Sequence, residues 1–380
     1  MYLNNKDLFR ITTGTSPSVS VFYGKGIEPD FVKTLSNYEF DKLFFVADSK
    51  PYFLHGTHLV REIRQAGFQV ELMKLDISEQ EKTFETLEKI CNEAIQRGVT
   101  RDSILIGFGG GTLTNIAGLA ASLLYRGICY VEVPTTFLCQ TDSSFSNKQA
   151  INGPEGKNQF GSFYAPLFIW SDFQYTETEE MRYWNSAIVE GMKNALISNA
   201  SLLSIFDSPR FVQRSQTQFL FKIITSSKKK ILKTDPTEQN QAAILEYGHT
   251  FGHAIEFLLP ESVSHGEAVA VGMCMAAEAA FLCGRLKQSA VNLHYHLLIP
   301  YFPTKVLSLF TTTFPEKMYR RILSDNKKSK DGIPFILLSS IGSCTDNGNT
   351  AEVYLDRHMI LKSIENFFHK LSRGFIDSKE

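Results

Sequence analysis

The chain has 380 residues, of which 43% are hydrophobic and 21% charged, and its formal net charge at pH 7 is −1. This length favours two domains, and the composition is that of a globular protein with enough apolar side chains for two cores, which excludes a disordered chain. Because the charges nearly cancel, we expect no nucleic acid and no membrane as a partner.

Short apolar segments alternate with amphipathic helical segments over about residues 1–170. Strands are predicted at Val19–Tyr23, Lys42–Ala47, Gln69–Leu75, Ser103–Gly107 and Cys129–Val133. Helices are predicted between them at Tyr52–Ala66, Glu79–Arg97 and Thr112–Tyr125. This alternation predicts a parallel sheet with crossover helices.

A glycine-rich turn, Gly107-Phe-Gly-Gly-Gly-Thr-Leu-Thr-Asn115, joins the fourth of these strands to a helix. Glycines let the backbone close around a pyrophosphate, and a helix N-terminus offers free N–H groups. The pattern differs from Gly-x-Gly-x-x-Gly, so a tight strand-to-helix turn without a ligand is an alternative. Asp48, Glu79 and Lys82 follow strands at the edge where open sheets bind dinucleotides, although surface charge is the simpler interpretation of each one alone.

A long polar segment, Pro134–Asn158, follows the last predicted strand. It is too polar for a core element and too long for a plain connector. Its Asp142, Lys148, Lys157, Asn152 and Asn158 suit an anionic, polyhydroxylated ligand, whereas a surface loop is the alternative interpretation.

From about Thr176 onward the pattern becomes helical. Helices are predicted at Met181–Ala200, Gln218–Leu232, Ala242–Leu258 and Gly266–Leu286. We interpret the basic run Lys228–Lys230 as a solvated helix face, with service to an anionic ligand as the alternative. A polar turn, Asp325–Gly332, precedes a predicted strand, Pro334–Ser339. The change in pattern predicts two domains, residues 1–175 and residues 176–380.

Three of the nine histidines fall between positions 249 and 265. His249 and His253 project from one face of a helix because they are four residues apart, and His265 begins the next helical segment. A catalytic zinc site needs three protein ligands and one open position, and neutral imidazole is a suitable ligand. Glu190, three residues before Lys193, is either half of an ion pair or the carboxylate ligand of such a site. Spacing alone leaves both interpretations open, and it also leaves simple packing open for the histidines.

The six cysteines are scattered without paired spacing, and Cys-x-x-Cys does not occur. This distribution indicates reduced thiols rather than a disulfide framework or a thiolate zinc site. The N-terminal residues show no signal pattern, and no apolar run approaches the length of a membrane span. We therefore expect a cytoplasmic protein.

Together these motifs match one known family in order and spacing. Over about residues 44–340 the chain resembles the sugar-phosphate cyclases of the dehydroquinate-synthase-like superfamily. The matching motifs are Gly109-Gly-Gly111, Arg126-Gly, Pro134-Thr-Thr, Asp142-Ser, Lys148, Gly156-Lys-Asn158, Glu190-x-x-Lys193, Gly248-His-Thr-x-Gly-His253, His265-Gly-Glu267 and Asp325-x-Lys327. The resemblance implies an α/β, Rossmann-like NAD-binding domain, a mainly α-helical metal-binding domain after it, and a homodimer.

The resemblance also implies roles for the matching residues. A metal ion, Zn²⁺ or Co²⁺, would be held by Glu190, His249 and His265. NAD would contact Asp48, Glu79, Lys82, Gly109, Gly110, Gly111, Thr112, Asn115, Thr135, Thr136, Lys148 and Lys157. A sugar-phosphate substrate would contact Arg126, Asp142, Lys148, Asn158, Lys193, Glu246, His253 and Lys327. Of these, Arg126 would reach the phosphate site of the neighbouring subunit, and the catalytic candidates are Asp142, Lys148, Glu246 and His253.

Three departures from the dehydroquinate synthases narrow the expected substrate. Those enzymes carry Asn where this chain has Glu246, an Arg that holds the substrate carboxylate where it has Ala242, and Asp where it has Asn115. A lost cation and an added carboxylate both disfavour an acid substrate.

The chain instead resembles the 2-deoxy-scyllo-inosose synthases at Asn115, Lys148-Gln-Ala-Ile-Asn152, Glu246-Tyr-Gly-His249 and Asp325-Asn-Lys327. Those enzymes convert glucose 6-phosphate into a carbocycle with loss of phosphate in the 2-deoxystreptamine aminoglycoside antibiotic pathways. A dehydroquinate synthase and a 2-epi-5-epi-valiolone synthase-type cyclase are the alternatives. A metal-dependent glycerol-type alcohol dehydrogenase and a binding or scaffold subunit are more distant ones.

Overall fold

The computed structural model describes residues 7–11, 19–154, 156–233, 235, 241–260, 262–304, 306, 311, 313–324, 333–344 and 352–373. The chain divides into two compact units, residues 1–180 with 214–225 and residues 181–213 with 226–380. All six cysteines lie within the described residues and none forms a disulfide, as expected for reduced thiols. Among the described helices, none is long and apolar enough to cross a membrane.

The first unit is built on a sheet with seven strands among the described residues. In chain order the strands of this unit are β1 (Asp7–Ile11), β2 (Val19–Gly24), β3 (Leu43–Asp48), β4 (Val70–Leu75), β5 (Ile104–Gly109), β6 (Cys129–Pro134), β7 (Lys148–Gly153), β8 (Gly156–Phe163) and β9 (Phe168–Asp172). The sheet order is β1-β2-β9-β6-β5-β3-β4, in which only β1 runs antiparallel to its neighbour. The predicted parallel sheet is therefore confirmed.

The apolar run of β3 shows why this sheet is parallel and buried. Leu43, Phe45 and Ala47 belong to one core cluster, and Phe44 and Val46 belong to another. Successive side chains of a strand point to opposite faces, so both faces of the sheet are covered. The last residues of β3 and β4 are paired, and so are those of β5 and β6, so these strands end at a common edge of the sheet. Side chains that follow these strands are thus gathered along one edge.

Helices connect the strands of the first unit. They are α1 (Glu28–Leu35), α2 (Ser49–Pro51), α3 (Thr57–Gln65), α4 (Phe84–Gln96), α5 (Gly111–Leu123) and α6 (Phe137–Thr141). The helix predicted at Tyr52–Ala66 begins with a π-helical turn, Tyr52–Gly56, before α3.

The helix predicted at Glu79–Arg97 is wrong in its first turn. Residues Glu79–Glu81 form a separate 3-10 turn capped by Ser78, and α4 begins only after Thr83, whose hydroxyl accepts a hydrogen bond from the Thr86 N–H at 3.3 Å. Each cap residue starts its own helical turn, since its side chain satisfies a free N–H group. Glu79 and Lys82 consequently lie outside α4.

The polar segment Pro134–Asn158 was judged too polar for a core element, and this judgement is wrong for Gln149, Ala150 and Ile151, which are buried. The segment contains α6, a 3-10 turn and most of the antiparallel hairpin formed by β7 and β8. Its middle packs tightly on α5, because a Cβ on Gly118 would lie 2.4 Å from the Gln149 side chain. Strand β7 is not recognisable as a buried strand from the sequence, because its polar side chains contact other parts of the protein instead of water.

The second unit is mainly α-helical, as predicted. Its elements are α7 (Met181–Ser198), α8 (Leu203–Phe206), the end of α9 (Thr217–Leu232), α10 (His249–Leu258), α11 (His265–Leu282), α12 (Gln288–Leu298), α13 (Phe314–Leu323), α14 (Arg357–Ser372), and the antiparallel strands β10 (Pro334–Ile336) and β11 (Glu352–Tyr354). Helix α11 is central and contacts α7, α10, α12 and α14. The predicted strand Pro334–Ser339 ends at Ile336, and the polar turn at 325–332 lies outside the described residues.

One predicted helix of this unit, Ala242–Leu258, is interrupted. A 3-10 turn, Gln241–Glu246, is followed by Tyr247 and Gly248, and α10 begins at His249. Gly248 has a φ of +79°, in the left-handed region that favours glycine, and a Cβ there would lie 2.5 Å from Met273. The interruption therefore has both a conformational and a packing cause.

Candidate active site

Small residues bring three helices of the second unit close together. A Cβ on Gly272 of α11 would lie 2.2 Å from the carbonyl oxygen of Gly248, at the start of α10. A Cβ on Gly266 would lie 2.4 Å from the Cα atom of Ser186 on α7, and the Gly266 N–H donates to the Ser186 hydroxyl at 3.1 Å. These contacts fix α10 and α7 against α11, and each of the three helices carries one candidate metal ligand.

The three candidate metal ligands converge at this helix junction. One ligand atom from each of Glu190, His249 and His265 lies within 4.8 Å of the others. The Nε2 atoms of His249 and His265 lie 3.4 Å and 3.3 Å from Oε1 of Glu190. One carboxylate and two imidazoles, with a fourth position open, is a donor set that suits Zn²⁺ or Co²⁺ in a catalytic site. The residues present therefore fit a divalent metal ion.

Glu190 takes part in both arrangements that the sequence left open. Its Oε2 lies 2.5 Å from Nζ of Lys193, while Oε1 faces the two histidines. Burial alone would raise the pKa of Glu190, but Lys193 and His249 outweigh it and hold the pKa well below the usual range. The carboxylate is therefore ionised, as a metal ligand must be.

The second ring nitrogens of both histidines have partners. The Nδ1 atom of His249 lies 3.2 Å from the carbonyl oxygen of Tyr247, and Nδ1 of His265 lies 3.5 Å from Oε2 of Glu256. Burial lowers the pKa of His265, but Glu256 and Glu190 outweigh it and raise the pKa to about 10. Such partners direct Nε2 of each ring toward the ligand position.

Two further predicted site residues of this unit, Glu246 and His253, lie within four residues of His249 in the sequence. The ring of His253 lies 5.3 Å from that of His249, measured between centroids, one turn along α10. Glu246 is half-buried at the end of a 3-10 turn that contacts α7. Ala242 is buried, and its N–H donates to the buried carboxylate of Asp235 at 2.9 Å. Lys327 lies outside the described residues.

Lys228 is a residue that the sequence interpretation placed on a solvated helix face. Only 5% of it is exposed, so the expected solvated face is wrong at this position. The signal was present in the spacing, because Leu220, Ile224 and Ile231 are buried on the same helix and Lys228 continues their stripe. It is a buried cation on α9, which accords with the alternative of an anionic ligand.

In the first unit, a partly buried network of hydrogen bonds surrounds Glu79. Its carboxylate accepts from the Thr112 hydroxyl at 2.8 Å and from the Asn152 side-chain amide at 3.0 Å. Burial alone would raise the pKa of Glu79, but Lys82 and Lys157 outweigh it and lower the pKa. The carboxylate is therefore held ionised beside the start of α5.

Lys82 joins the same network from the other side. Its Nζ donates to Oδ1 of Asn115 at 2.9 Å and to Oδ1 of Asn158 at 2.6 Å. Burial lowers the pKa of Lys82 while the Glu79 charge opposes that effect. Asn152, one of the asparagines expected to suit an anionic ligand, links both halves because its Oδ1 also accepts from the Asn158 N–H at 3.0 Å.

The glycine turn lies beside this network. Gly110 precedes α5 as its N-cap residue and has no side chain that could cap the first N–H groups of the helix. A Cβ on Gly109 would lie 2.7 Å from Leu113, and one on Gly110 would lie 3.2 Å from Thr136. None of these glycines has a positive φ. Close packing, rather than an unusual backbone conformation, therefore requires glycine here, and the uncapped helix start suits a pyrophosphate.

Asp48, Thr135 and Thr136 lie at the same sheet edge. Asp48 ends β3, and a Cβ on Gly109 would lie 3.2 Å from its Cβ. Burial raises the pKa of Asp48 to about 6, and Asp76 adds to the increase. The Thr135 N–H donates to the Gly109 carbonyl at 2.9 Å, and the Thr136 hydroxyl caps α6.

The other substrate candidates of this unit are placed differently. Asp142 follows α6, and Lys148 begins β7. Arg126 is exposed, with a φ of +68°, beyond the last turn of α5. It is therefore one helix length, about 20 Å, from the glycine turn. The unit does not bring Arg126 to the other candidates, and its contribution through a neighbouring subunit stays a prediction.

Both halves of the chain match known families. Residues 72–186 match the 3-dehydroquinate synthase N-terminal family, and residues 187–328 match the 3-dehydroquinate synthase C-terminal family. A 3-dehydroquinate synthase of Helicobacter pylori (strain G27) is 32% identical over 330 residues, which cover 86% of this chain and 92% of that protein. A 2-deoxy-scyllo-inosose synthase of Streptomyces kanamyceticus is 32% identical over 364 residues, 92% of each chain.

A solved structure agrees with these matches. The crystal structure of 2-deoxy-scyllo-inosose synthase complexed with carbaglucose-6-phosphate, NAD⁺ and Co²⁺ matches with a TM-score of 0.83 at 28% identity, over 95% of this chain and 99% of that one. The predicted family resemblance and the predicted fold class are confirmed. The chain belongs to the 3-dehydroquinate synthase family of sugar-phosphate cyclases and is an enzyme of the phosphate-eliminating lyase type.

Proposed function

We propose that this protein has 2-deoxy-scyllo-inosose synthase activity, in which glucose 6-phosphate is cyclised with loss of phosphate. The observation that carries the proposal is the environment of position 242. Ala242 is buried, offers no cation, and donates its N–H to the carboxylate of Asp235, while Glu246 adds a second acid four residues on. A carboxylate substrate would meet acids where the dehydroquinate synthases place an arginine, and a neutral sugar ring avoids that repulsion.

The proposal includes the cofactors. Glu190, His249 and His265 would hold Zn²⁺ or Co²⁺, which when bound polarises the C4 oxygen of the sugar and lowers the pKa of its hydroxyl. NAD would be held at the glycine turn and the network around Glu79 and Lys82, and it supplies a reversible hydride acceptor for C4.

This chain's own residues would bind the substrate and move its protons. His253 would take the C4 hydroxyl proton and later donate to the aldol carbonyl, and Glu246 would contact a sugar hydroxyl or handle the C5 proton. Loss of the C5 proton and of phosphate from C6 forms a C5–C6 double bond. The hydride then returns to C4, and after ring opening an intramolecular aldol addition closes the carbocycle. One site that holds the substrate throughout makes these steps unimolecular.

Charged and amide side chains would recognise the phosphate and hydroxyl groups. We assign this role to Arg126, Asp142, Lys148, Asn158, Lys193 and Lys327. Residues 1–175 would form the NAD-binding domain and residues 176–380 the metal- and substrate-binding domain of a homodimer, with Arg126 acting across the subunit interface. An activity of this kind belongs to aminoglycoside biosynthesis.

A dehydroquinate synthase is the second candidate, because the Helicobacter pylori relative has the same 32% identity as the relative from Streptomyces kanamyceticus. Overall identity therefore does not discriminate between the two substrates, and positions 242 and 246 carry the choice. A valiolone-type cyclase acting on a seven-carbon sugar phosphate is the third substrate to test.

The test is an assay of the purified protein with NAD⁺ and Zn²⁺ or Co²⁺. Glucose 6-phosphate, sedoheptulose 7-phosphate and the dehydroquinate precursor are supplied in separate reactions, and phosphate release, net NADH and the carbocyclic product are measured. We expect phosphate and a six-carbon ketone from glucose 6-phosphate without net NADH, and none from a His249→Ala control. Turnover of only the seven-carbon substrates would overturn the substrate assignment, and net NADH release would overturn the cyclisation.

A further inference from the structure

A second buried histidine lies outside the metal cluster of the same unit. His294 of α12 and Tyr247, in the turn before α10, both have no exposed surface. The Tyr247 hydroxyl oxygen lies 2.8 Å from Nε2 of His294. Neither residue takes part in the proposed chemistry. Because burying polar groups costs stability, the presence of this polar pair in the core needs a physical explanation.

The direction of this hydrogen bond follows from the other nitrogen of His294. Nδ1 lies 2.7 Å from the carbonyl oxygen of Ala290, which can only accept. Nδ1 therefore carries the proton, and Nε2 of the neutral ring accepts from the Tyr247 hydroxyl. Burial lowers the pKa of His294 to about 4, in agreement with a neutral ring. The hydroxyl also lies 3.3 Å from the Met273 carbonyl oxygen, but its single proton favours the shorter contact.

The backbone of Tyr247 connects this pair to a candidate metal ligand. Its carbonyl oxygen lies 3.2 Å from Nδ1 of His249, so the His249 N–H donates to it and Nε2 is left as the lone-pair atom that faces Glu190. Only Gly248 separates the two residues, and that glycine is packed on Met273. The position of Tyr247 therefore sets both the tautomer and the ring orientation of His249.

We infer that His294 is a positioning residue for the metal centre, acting through the Tyr247 hydroxyl and the Tyr247 carbonyl on His249. The inference rests on the proposed function, because it requires a metal at Glu190, His249 and His265. Helix α12, which contributes no ligand to this centre, would then determine how well the centre holds its ion.

The chain offers a matched control one residue further along α12. Tyr295 is also buried, and its hydroxyl donates to Oε1 of Glu278 on α11 at 2.9 Å. Tyr295→Phe thus removes a buried hydrogen bond between α12 and α11 without touching the connection from His294 to His249. A general loss of packing would affect both variants alike.

The experiment measures metal binding rather than turnover. Zn²⁺ and Co²⁺ dissociation constants are determined by chelator competition, and the visible absorption spectrum of the Co²⁺-loaded protein reports ligand geometry, for the natural protein, His294→Leu, His294→Gln and Tyr295→Phe. Loss of a direct partner of a ligating histidine weakens binding about 10–100-fold. His294 acts one residue further away, so we expect about a tenfold loss and an altered Co²⁺ spectrum for His294→Leu.

The other variants should separate positioning from packing. His294→Gln keeps an acceptor near Nε2 and should restore most of the affinity, whereas Tyr295→Phe should lower only the urea midpoint of unfolding. If His294→Leu does not fold, Tyr247→Phe, which keeps the ring, serves in its place with the same expectation. Unchanged affinity and spectrum in the folded variant would overturn the inference alone. Failure of the natural protein to bind either metal would overturn the proposed metal centre and this inference with it.

Discussion

At the scale of single residues, two acids at the same sheet edge differ in their protonation. Burial raises the pKa of Asp48 to about 6. Glu79 is half-buried, which would raise its pKa, but Lys82 and Lys157 outweigh this effect and lower the pKa. One of the two acids therefore titrates in a mildly acidic range while the other stays ionised, and the difference is caused by Lys82, three residues from Glu79, and by Lys157 of β8.

The raised pKa of Asp48 predicts a pH dependence of stability. The folded protein holds this proton up to about pH 6, whereas the unfolded chain releases it near the ordinary carboxyl pKa of 3.8. Stability from this group is complete below about pH 4 and is lost as pH rises to about 6. We expect Asp48→Asn to reduce that loss, measured as the difference between urea midpoints at pH 4 and pH 7. An equal difference in both proteins would contradict the assignment.

Glu246 is the residue on which the substrate proposal can be dissected. Glu246→Gln keeps the side-chain shape but removes the charge and the basic oxygen. If Glu246 handles the C5 proton, we expect cyclisation of glucose 6-phosphate to fall about a hundredfold or more, in the range of lost acid–base catalysis. Metal content and NAD binding, measured on the same preparation, should not change. A natural rate in the variant would remove this role.

At the scale of elements, the start of α10 depends on one glycine. Gly248→Ala should cost about 1–2 kcal/mol for a side chain in the left-handed region and about 1–3 kcal/mol more for overpacking against Met273. Gly284→Ala is the matched control, because Gly284 has a φ of +70° and nothing within 4 Å of its Cβ position. Urea unfolding of both variants isolates the packing cost. Equal losses would show that the contact of α10 with α11 can relax.

Elements with a clear apolar period were predictable, and those with polar buried faces were not. Strands such as β3 and β5 were found because both faces of the sheet are apolar. The hairpin of β7 and β8 was missed because its buried strand is rich in amide and basic residues. The breaks before α4 and α10 were missed because their cap and turn residues lie inside a continuous helical pattern.

Sequence motifs also predicted more of the site than of its supporting contacts. The spacing of the histidines indicated a cluster, and the structure brings both candidate imidazole ligands to Glu190. The contact of Asn152 with Glu79 and that of His294 with Tyr247 were not predictable. Each pair is separated by tens of residues in the chain, and no spacing in the sequence indicates it. Local periodicity carries no information on such pairs.

At the scale of the whole molecule, the role expected for Arg126 predicts that each active site contains residues of two subunits. Arg126→Ala and His249→Ala should each be inactive alone, since one lacks the phosphate contact and the other a metal ligand. If Arg126 acts across a dimer interface, a mixed dimer has one site with neither change. Co-expression in equal amounts should then restore about a quarter of the natural activity, given statistical pairing in a two-fold dimer.

The control for this experiment is a pair of changes that must act in the same subunit. His249→Ala with Glu190→Ala removes two ligands of one centre, so every site of their mixed dimers carries a lesion and we expect no recovery. Absence of recovery with Arg126→Ala as well would place that arginine within its own subunit or outside the site.

The path of α9 limits how this enzyme can be recombined with its relatives. The helix begins in the first unit and ends in the second, and its Phe221 stacks on Tyr23 with ring centroids 4.7 Å apart. Arg214, just before the helix, donates to the carbonyls of Thr176 and Glu177. A chimera exchanged at a single junction near residue 180 would separate these partners. The two units should therefore be exchangeable with those of a relative only when residues 214–225 are transferred together with residues 1–180.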